Sequence, residues 1–256
     1  GMIALASDFG SPSPAAMKGV MAQRTDARLV DVAHDFPRQD VRTAAFWLRE
    51  MLPYFPPAVH LVVVDPGVGT DRAALAIRAG DHALVGPDNG VLLPAARELA
   101  SASGAADVEV FEVEYEDDET ESTTFHGRDV FAPAAAEVHE AGVGRFHERE
   151  DVTPADGYVD LRFPEPEIED GIAVGEVLVV DGFGNAVTNV PGRFLDGRES
   201  VRVDGTSVPV ERAYAAVDTG DRLATVGSHG NVELAVNQGR GEEAFGVSVG
   251  DEVRVA

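Results

Sequence analysis

The sequence contains no cysteine, a single lysine (Lys18) and a single tryptophan. Without cysteine there can be no disulfide, no thiolate metal site and no cysteine nucleophile. No apolar run comes near the roughly 18 residues that a membrane span requires, so no membrane partner is expected. The N-terminus opens directly into a strand pattern, without the basic and long apolar regions of a secretory signal, and a cytoplasmic location is expected. Neither G-x-G-x-x-G nor G-x-x-x-x-G-K-[ST] occurs, which argues against a phosphate cradle. No G-x-S-x-G or Ser-His-Asp order suggests a serine hydrolase.

Positive charge is also scarce. There are 20 Lys and Arg against 45 Asp and Glu, a net charge of −25. No basic stripe is available to release counterions, so nucleic acid is not an expected partner. The acidity fits either a specific cationic ligand or adaptation to high salt, in which screening relieves the self-repulsion of surface carboxylates. The even spread of acids and the depletion of lysine favour the second, a halophilic protein.

What is present divides the chain in two. From 2 to 142, apolar runs of strand type alternate with helical periodicity. Strands are expected at 2–10, 27–36, 58–65, 73–79, 82–90 and 108–115, and helices at 13–25, 39–52, 91–100 and 127–142. That succession implies an α/β domain built on a mostly parallel sheet. Residues 150–171 are rich in proline and acid. Beyond them come short strands separated by Gly, Asn and Asp turns, the pattern of a small antiparallel barrel. The expected organisation is an N-terminal α/β domain over 1–160, a linker over 161–171 and a C-terminal β-barrel over 172–256. The acidic stretch 114–122 reads as a solvated loop.

Ligands of open α/β sheets sit at the carboxyl ends of strands. Three such ends carry acids or amides: Asp8, Asp65 and the pair Asp88 and Asn89. The stretch VDPGVGTDR (64–72) stands out. A surface turn needs its proline and one glycine but neither Asp65 nor Arg72. Asp8, in SDFG (7–10), suits either a tight turn or a carboxylate that accepts from a diol. His126, in FHGRDVFAP (125–133), suits either a helix start or a site residue. DGFGNAVTN (181–189) reads as a hairpin or as backbone that approaches a flat ligand. In SHGNVELAVNQG (228–239), Ser228 can grip a carboxylate and Glu233 an ammonium, but strand-turn-strand explains the pattern as well. His139-Glu140 and His147-Glu148 read as helix surface rather than as a metal site.

The blocks SDFG, VDPGVGTDR, GPDNGVL, FHGRDVFAPAAA, DGFGNAVTN and LAVNQG follow the order and rough spacing of the SAM hydroxide adenosyltransferases. The resemblance spans essentially the whole chain, including the change from α/β to all-β. It implies hydrolysis of S-adenosyl-L-methionine (SAM): water attacks C5′, and adenosine and L-methionine leave. It implies a catalytic Asp-Arg-His set, which falls on Asp65, Arg72 and His126, with the proton going to Asp65 or His126. It implies that Asp8 holds the ribose hydroxyls, that Asn185 reads adenine, and that Tyr214 offers an aromatic face. Ser228 and Glu233 are then expected to bind the methionine carboxylate and ammonium, and Val236 to meet adenine through its backbone. No cofactor and no metal are implied, since SAM is the substrate. Family members form trimers, with the ligand at a contact between the N-terminal domain of one subunit and the C-terminal domain of the next.

The halogenating relatives carry aromatic residues where this chain has Gln39 and Asp65, and lack the Asp-Arg-His set. Those departures count against halide as the nucleophile. Two alternatives stay open on the sequence: a SAM or adenosine sensor with negligible turnover, and a SAM-dependent chlorinase.

Overall fold

The computed structural model describes residues 1–115 and 121–256. Part of the acidic stretch read as a solvated loop, residues 116–120, lies outside them. The chain divides into two compact units, Gly1–Arg162 and Phe163–Ala256.

Among the described residues the first unit is a seven-stranded sheet with helices. Its strands are β1 (Met2–Ser7), β2 (Arg28–Ala33), β3 (Val59–Val63), β4 (Ala74–Ala79), β5 (His82–Pro87), β6 (Glu109–Val113) and β7 (Val152–Pro154), in the order β2-β1-β3-β5-β4-β6-β7. The pairs among β2, β1, β3 and β5 are parallel. Those involving β4, β6 and β7 are antiparallel. The change of direction begins at the two-residue connection of β4 to β5, which permits only a hairpin. Gly80 there has φ +59°, and a Cβ would fall 2.3 Å from Ser103 Cβ.

The helices are α1 (Pro14–Ala22), α2 (Val41–Met51), α3 (Leu93–Ala102) and α4 (Ala132–Ala141). Asp40 caps α2, its Oδ1 accepting from Thr43 N–H at 2.9 Å. Ile3, Leu5, Leu61, Val63 and Val85 form one core with Met17 and Met21 of α1 and Ala135 and Val138 of α4. The alternate residues Ala4, Val62 and Leu84 are equally buried. Strand side chains alternate faces, so both faces of the sheet are covered. Burial of each large side chain contributes about 1.5–3 kcal/mol.

The second unit holds β8 (Glu167–Glu169), β9 (Ile172–Val180), β10 (Ala186–Pro191), β11 (Ser200–Val203), β12 (Thr206–Pro209), β13 (Arg222–Val226), β14 (Asn231–Val236), β15 (Glu252–Val255) and a short helix, α5 (Gly241–Phe245). The strand order is β12-β11-β15-β9-β10-β14-β13. A bridge between Val210 and Ala224 links the two ends, so the sheet is a nearly closed barrel. Val177, Ala186, Val201, Leu234 and Val253 fill it. β8 lies in the stretch expected to be a linker and pairs with β9. No helix among the described residues is long and apolar enough to cross a membrane.

In the first unit two imidazoles are buried together. His60 Nε2 lies 2.9 Å from His82 Nδ1. His60 is fully buried, and its Nδ1 has no hydrogen-bond partner among the described residues. Burial, and then the neighbouring His82, pushes the His60 pKa down from 6.5 to about 3. The folded chain therefore holds His60 neutral where the unfolded chain protonates it. Its contribution to stability is complete above pH 6.5 and is lost as the pH falls towards 3, by about 1.4 kcal/mol per pH unit. His60→Leu is expected to flatten the fall in melting temperature between pH 7 and pH 4. Thermal melts across that range check this, and an unchanged slope contradicts it.

Candidate active site

β1 and β3 are parallel neighbours, with Ser7 opposite Val63. Asp8 and Asp65 therefore leave the sheet side by side, Asp8 at the end of β1 and Asp65 two residues past the end of β3. From Asp65 the chain turns tightly. Val68 N–H donates to Asp65 O at 3.3 Å, and Thr70 N–H to Gly67 O at 3.1 Å. Gly69, at φ +76°, sits where a Cβ would come 2.9 Å from Thr123 O. The turn delivers Arg72 back to Asp65 just before β4.

Arg72 is the hub of the site. Its Nε lies 3.1 Å from both Asp65 oxygens, and its Nη2 donates to Asp65 Oδ2 at 2.5 Å. Nη2 also lies 3.0 Å from His126 Nδ1. Nη1 donates to Tyr115 Oη at 2.9 Å. The guanidinium lies over the Phe131 ring, 4.8 Å from its centroid. The Arg72 and Asp65 side chains are only 9% and 4% exposed. Burial works against the Arg72 charge, but the hydrogen bonds and charge of Asp65 outweigh it and raise its pKa above the ordinary value. Arg72 is therefore a permanent cation and cannot act as a base.

The Arg72 contact assigns the tautomer of His126. An arginine N–H can only donate. Nδ1 of His126 is therefore the acceptor, and the proton of the neutral imidazole sits on Nε2. His126 begins a π-helical turn, Gly127–Phe131, that runs into α4. Such turns concentrate at functional sites. At Gly127 a Cβ would fall 2.9 Å from the Phe9 ring. Phe9 and Phe125 pack edge to face at 5.6 Å, which ties the Asp8 turn to the His126 turn.

Asp8 is oriented from below. Its Oδ2 accepts from Gln39 N–H at 2.6 Å, with Gln39 in the left-handed region at φ 61°. A polar chain supports the same strand end. Ser7 Oγ meets His34 Nδ1 at 2.7 Å, His34 Nε2 meets Asp31 at 2.8 Å, and Lys18 meets Asp31 at 2.6 Å. Hydrogen bonding from Lys18 holds the Asp31 carboxyl below its ordinary range.

The third strand end behaves differently. Asn89 Nδ2 donates to Val64 O at 2.8 Å and its Oδ1 accepts from Val91 N–H at 3.1 Å. Asp88 accepts from Val159 N–H at 2.8 Å. Asn89 thus spends one end of its amide bracing the residue before Asp65 and the other holding the turn that leads to α3.

In the second unit a separate polar network forms. Asp181 Oδ1 accepts from the N–H groups of Phe183 and Asn185, both at 2.9 Å, and its Oδ2 accepts from Asn185 Nδ2 at 2.9 Å. Asn185 Nδ2 also reaches Tyr214 Oη at 3.4 Å. Tyr214 donates to Glu233 Oε1 at 2.5 Å. Burial, and then Glu233, pushes the Tyr214 pKa up. His229 Nδ1 accepts from Asn231 N–H at 3.2 Å, so its Nε2 is the donor towards Glu233 Oε2 at 3.3 Å. Glu233 is 3% exposed. Its neighbours Val232 and Leu234 belong to the barrel core, so alternation turns Glu233 to the other face. Ser228 lies in the exposed turn between β13 and β14, and Val236 ends β14 opposite Arg222.

The structure thus brings together Asp65, Arg72 and His126 in one cluster and Asn185, Tyr214 and Glu233 in another. The sequence reading missed Tyr115, Phe131, Asp181 and His34. Tyr115 had a usable signal: with Phe111 and Val113 it continues one face of β6. Among the described residues no group of three His, Cys, Asp or Glu is arranged to hold a metal ion.

Comparison with known proteins matches residues 3–147 to the SAM hydroxide adenosyltransferase N-terminal domain and residues 175–254 to its C-terminal domain. A protein of Salinispora tropica named (R)-S-adenosyl-L-methionine hydrolase is 41% identical over 260 residues, 99% of this chain and 97% of that one. A protein of the same name from Thermus thermophilus is 39% identical, with 97% of each chain covered. Among solved structures, an uncharacterized conserved protein from Thermotoga maritima is 34% identical at a TM-score of 0.83, covering all of both chains. A conserved hypothetical protein from Thermus thermophilus is 37% identical at a TM-score of 0.75, covering 100% of this chain and 99% of that one.

Removing one partner of a buried ion pair strands the other charge. Asp65→Ala is expected to cost about 3–5 kcal/mol of stability. Adding Arg72→Leu to that variant is expected to recover part of the loss. Urea unfolding of the two variants checks this, and losses that simply add contradict it.

Proposed function

The chain belongs to the SAM hydroxide adenosyltransferase family, and on that premise we propose that it hydrolyses S-adenosyl-L-methionine to adenosine and L-methionine, with Asp65, Arg72 and His126 at the reacting end of the site. The observation that carries the reading is the Arg72 guanidinium, held at once by the Asp65 carboxylate and the His126 imidazole in a buried setting.

SAM is a sulfonium, so methionine leaves as a neutral thioether and needs no acid. The task that remains is to hold one water in line behind C5′. Such positioning can supply about 7–11 kcal/mol. As the O–C5′ bond forms, the C5′–S bond breaks and its electron pair goes to sulfur. The attacking oxygen becomes an alkyloxonium, a far stronger acid than any carboxylic acid, and even a weak base can take its proton.

The two bases left open by the sequence now differ. His126 Nδ1 uses its lone pair on Arg72, and its Nε2 already carries hydrogen. His126 is therefore a donor that orients the water. Asp65 is the proton acceptor, and Arg72 orients it through hydrogen bonds to both of its oxygens. The proton then passes from Asp65 to solvent.

Binding roles follow the same premise. Asp8 is proposed to take the ribose hydroxyls with the lone pairs that Gln39 leaves. Asn185 commits its N–H groups to Asp181 and Tyr214, so its carbonyl is the group it can offer to the adenine amine. Tyr214 offers its ring face. Glu233, oriented by Tyr214 and His229, is proposed to hold the methionine ammonium, Ser228 the carboxylate, and Val236 the adenine through its backbone. A homotrimer and adaptation to high salt complete the proposal, with nucleic acid and membrane outside its partners.

The test is chromatography of the protein with SAM, supplied as the (R) and (S) sulfonium epimers because the relatives are named for the (R) form. Adenosine and methionine are expected in equal amounts. Asp65→Asn is expected to lower kcat by about 100-fold or more, the range for loss of a general base. SAM recovered intact while bound to the protein contradicts the proposal.

A further inference from the structure

Among the described residues the Arg72 guanidinium has three hydrogen-bonding partners, and the hydrolytic reading uses two of them. The third is Tyr115. Its hydroxyl accepts from Arg72 Nη1 at 2.9 Å. Its ring packs edge-on against His126, with centroids 5.7 Å apart and planes at 71°. Tyr115 therefore touches the arginine and the histidine at the same time.

A guanidinium is planar, so its orientation is set by the directions in which its corners are held. Asp65 holds the Nε and Nη2 side. Tyr115 holds the Nη1 corner, and Phe131 supports the face. With Nη1 released, the plane can tilt about the Asp65 contact, and the second N–H of Nη2 then turns off His126 Nδ1. The choice of tyrosine is chemically specific. A second carboxylate at this corner would compete with Asp65 for the Arg72 charge. A neutral phenol accepts the hydrogen bond and leaves that charge to Asp65.

We propose that Tyr115 is a positioning residue for the reaction, fixing Arg72 and, through it, Asp65 and His126 for the attack of water. The proposal rests on the hydrolytic reading, and its test includes a readout that does not need turnover.

Tyr115→Phe is compared with wild type in kcat and KM for SAM, in melting temperature, and in the Arg72→Lys background. A hydrogen bond to a charged group is worth about tenfold in rate. The expected result is a roughly tenfold fall in kcat, with KM within about twofold and a small fall in melting temperature from the Nη1 donor left unpaired. In Arg72→Lys, which has no Nη1, Tyr115→Phe is expected to cause no further loss. In parallel, ¹⁵N NMR of the Arg72 guanidinium is expected to show hindered rotation in the wild type and freer rotation in Tyr115→Phe. A wild-type kcat in Tyr115→Phe, or an equal loss in both backgrounds, overturns the role of Tyr115. Unchanged Arg72 rotation overturns it even if the wild type leaves SAM intact, an outcome that separately sinks the hydrolytic reading.

Discussion

A guanidinium with only 9% of its side chain exposed has to be met by acceptors on every edge, because a buried unpaired charge costs several kcal/mol. Around Arg72 the fold supplies Asp65 from the turn after β3, His126 from the π-helical turn, Tyr115 from beyond β6 and the Phe131 face from the start of α4. Four positions from two stretches of the sequence, the turn at 65–72 and residues 115–131, are thus joined at one group. The parallel run of β1 and β3 brings the Asp8 turn beside it. The glycines of 64–72 let the chain fold back over seven residues. The aromatic pair Phe9 and Phe125 joins the two loops.

That single constraint also sets the chemistry. Because arginine can only donate, Nδ1 of His126 is the acceptor of their contact, which on the proposed reading leaves the histidine a donor and Asp65 the base. Because its donors reach both Asp65 oxygens, Arg72 also fixes the direction of that carboxylate. A sulfonium substrate asks little more: its leaving group departs neutral, and the proton leaves late from a strongly acidic oxonium. A weak, well-oriented base therefore suffices. The second unit repeats the logic on a smaller scale. Asp181 and Tyr214 commit the N–H side of Asn185, and Tyr214 and His229 orient the buried Glu233.

Much of this was legible before the fold. VDPGVGTDR announced a carboxylate and a guanidinium that no surface turn requires, and the change from α/β to all-β marked two units. The rest was hidden for physical reasons. Tyr115 stands at the edge of an acidic run, so composition masked the alternation that aligns it with Phe111 and Val113. Asn89 sits at a strand end like a ligand-binding residue, but only the register shows that its amide braces Val64. The antiparallel half of the first sheet depends on the two residues between β4 and β5, a short signal set against long strand patterns. β8 looked like linker because its composition is acidic and proline-flanked, and its pairing with β9 is a long-range fact that local sequence cannot carry.

The most direct test of the account is the fate of the oxygen. SAM is incubated with the protein in ¹⁸O-water containing concentrated potassium chloride, and the nucleoside is analysed by mass spectrometry. The account predicts adenosine with one ¹⁸O at its 5′ oxygen and methionine without label. Unlabelled adenosine, label in methionine, or a 5′-chlorinated nucleoside would show that water held at the Arg72 cluster is not what attacks C5′.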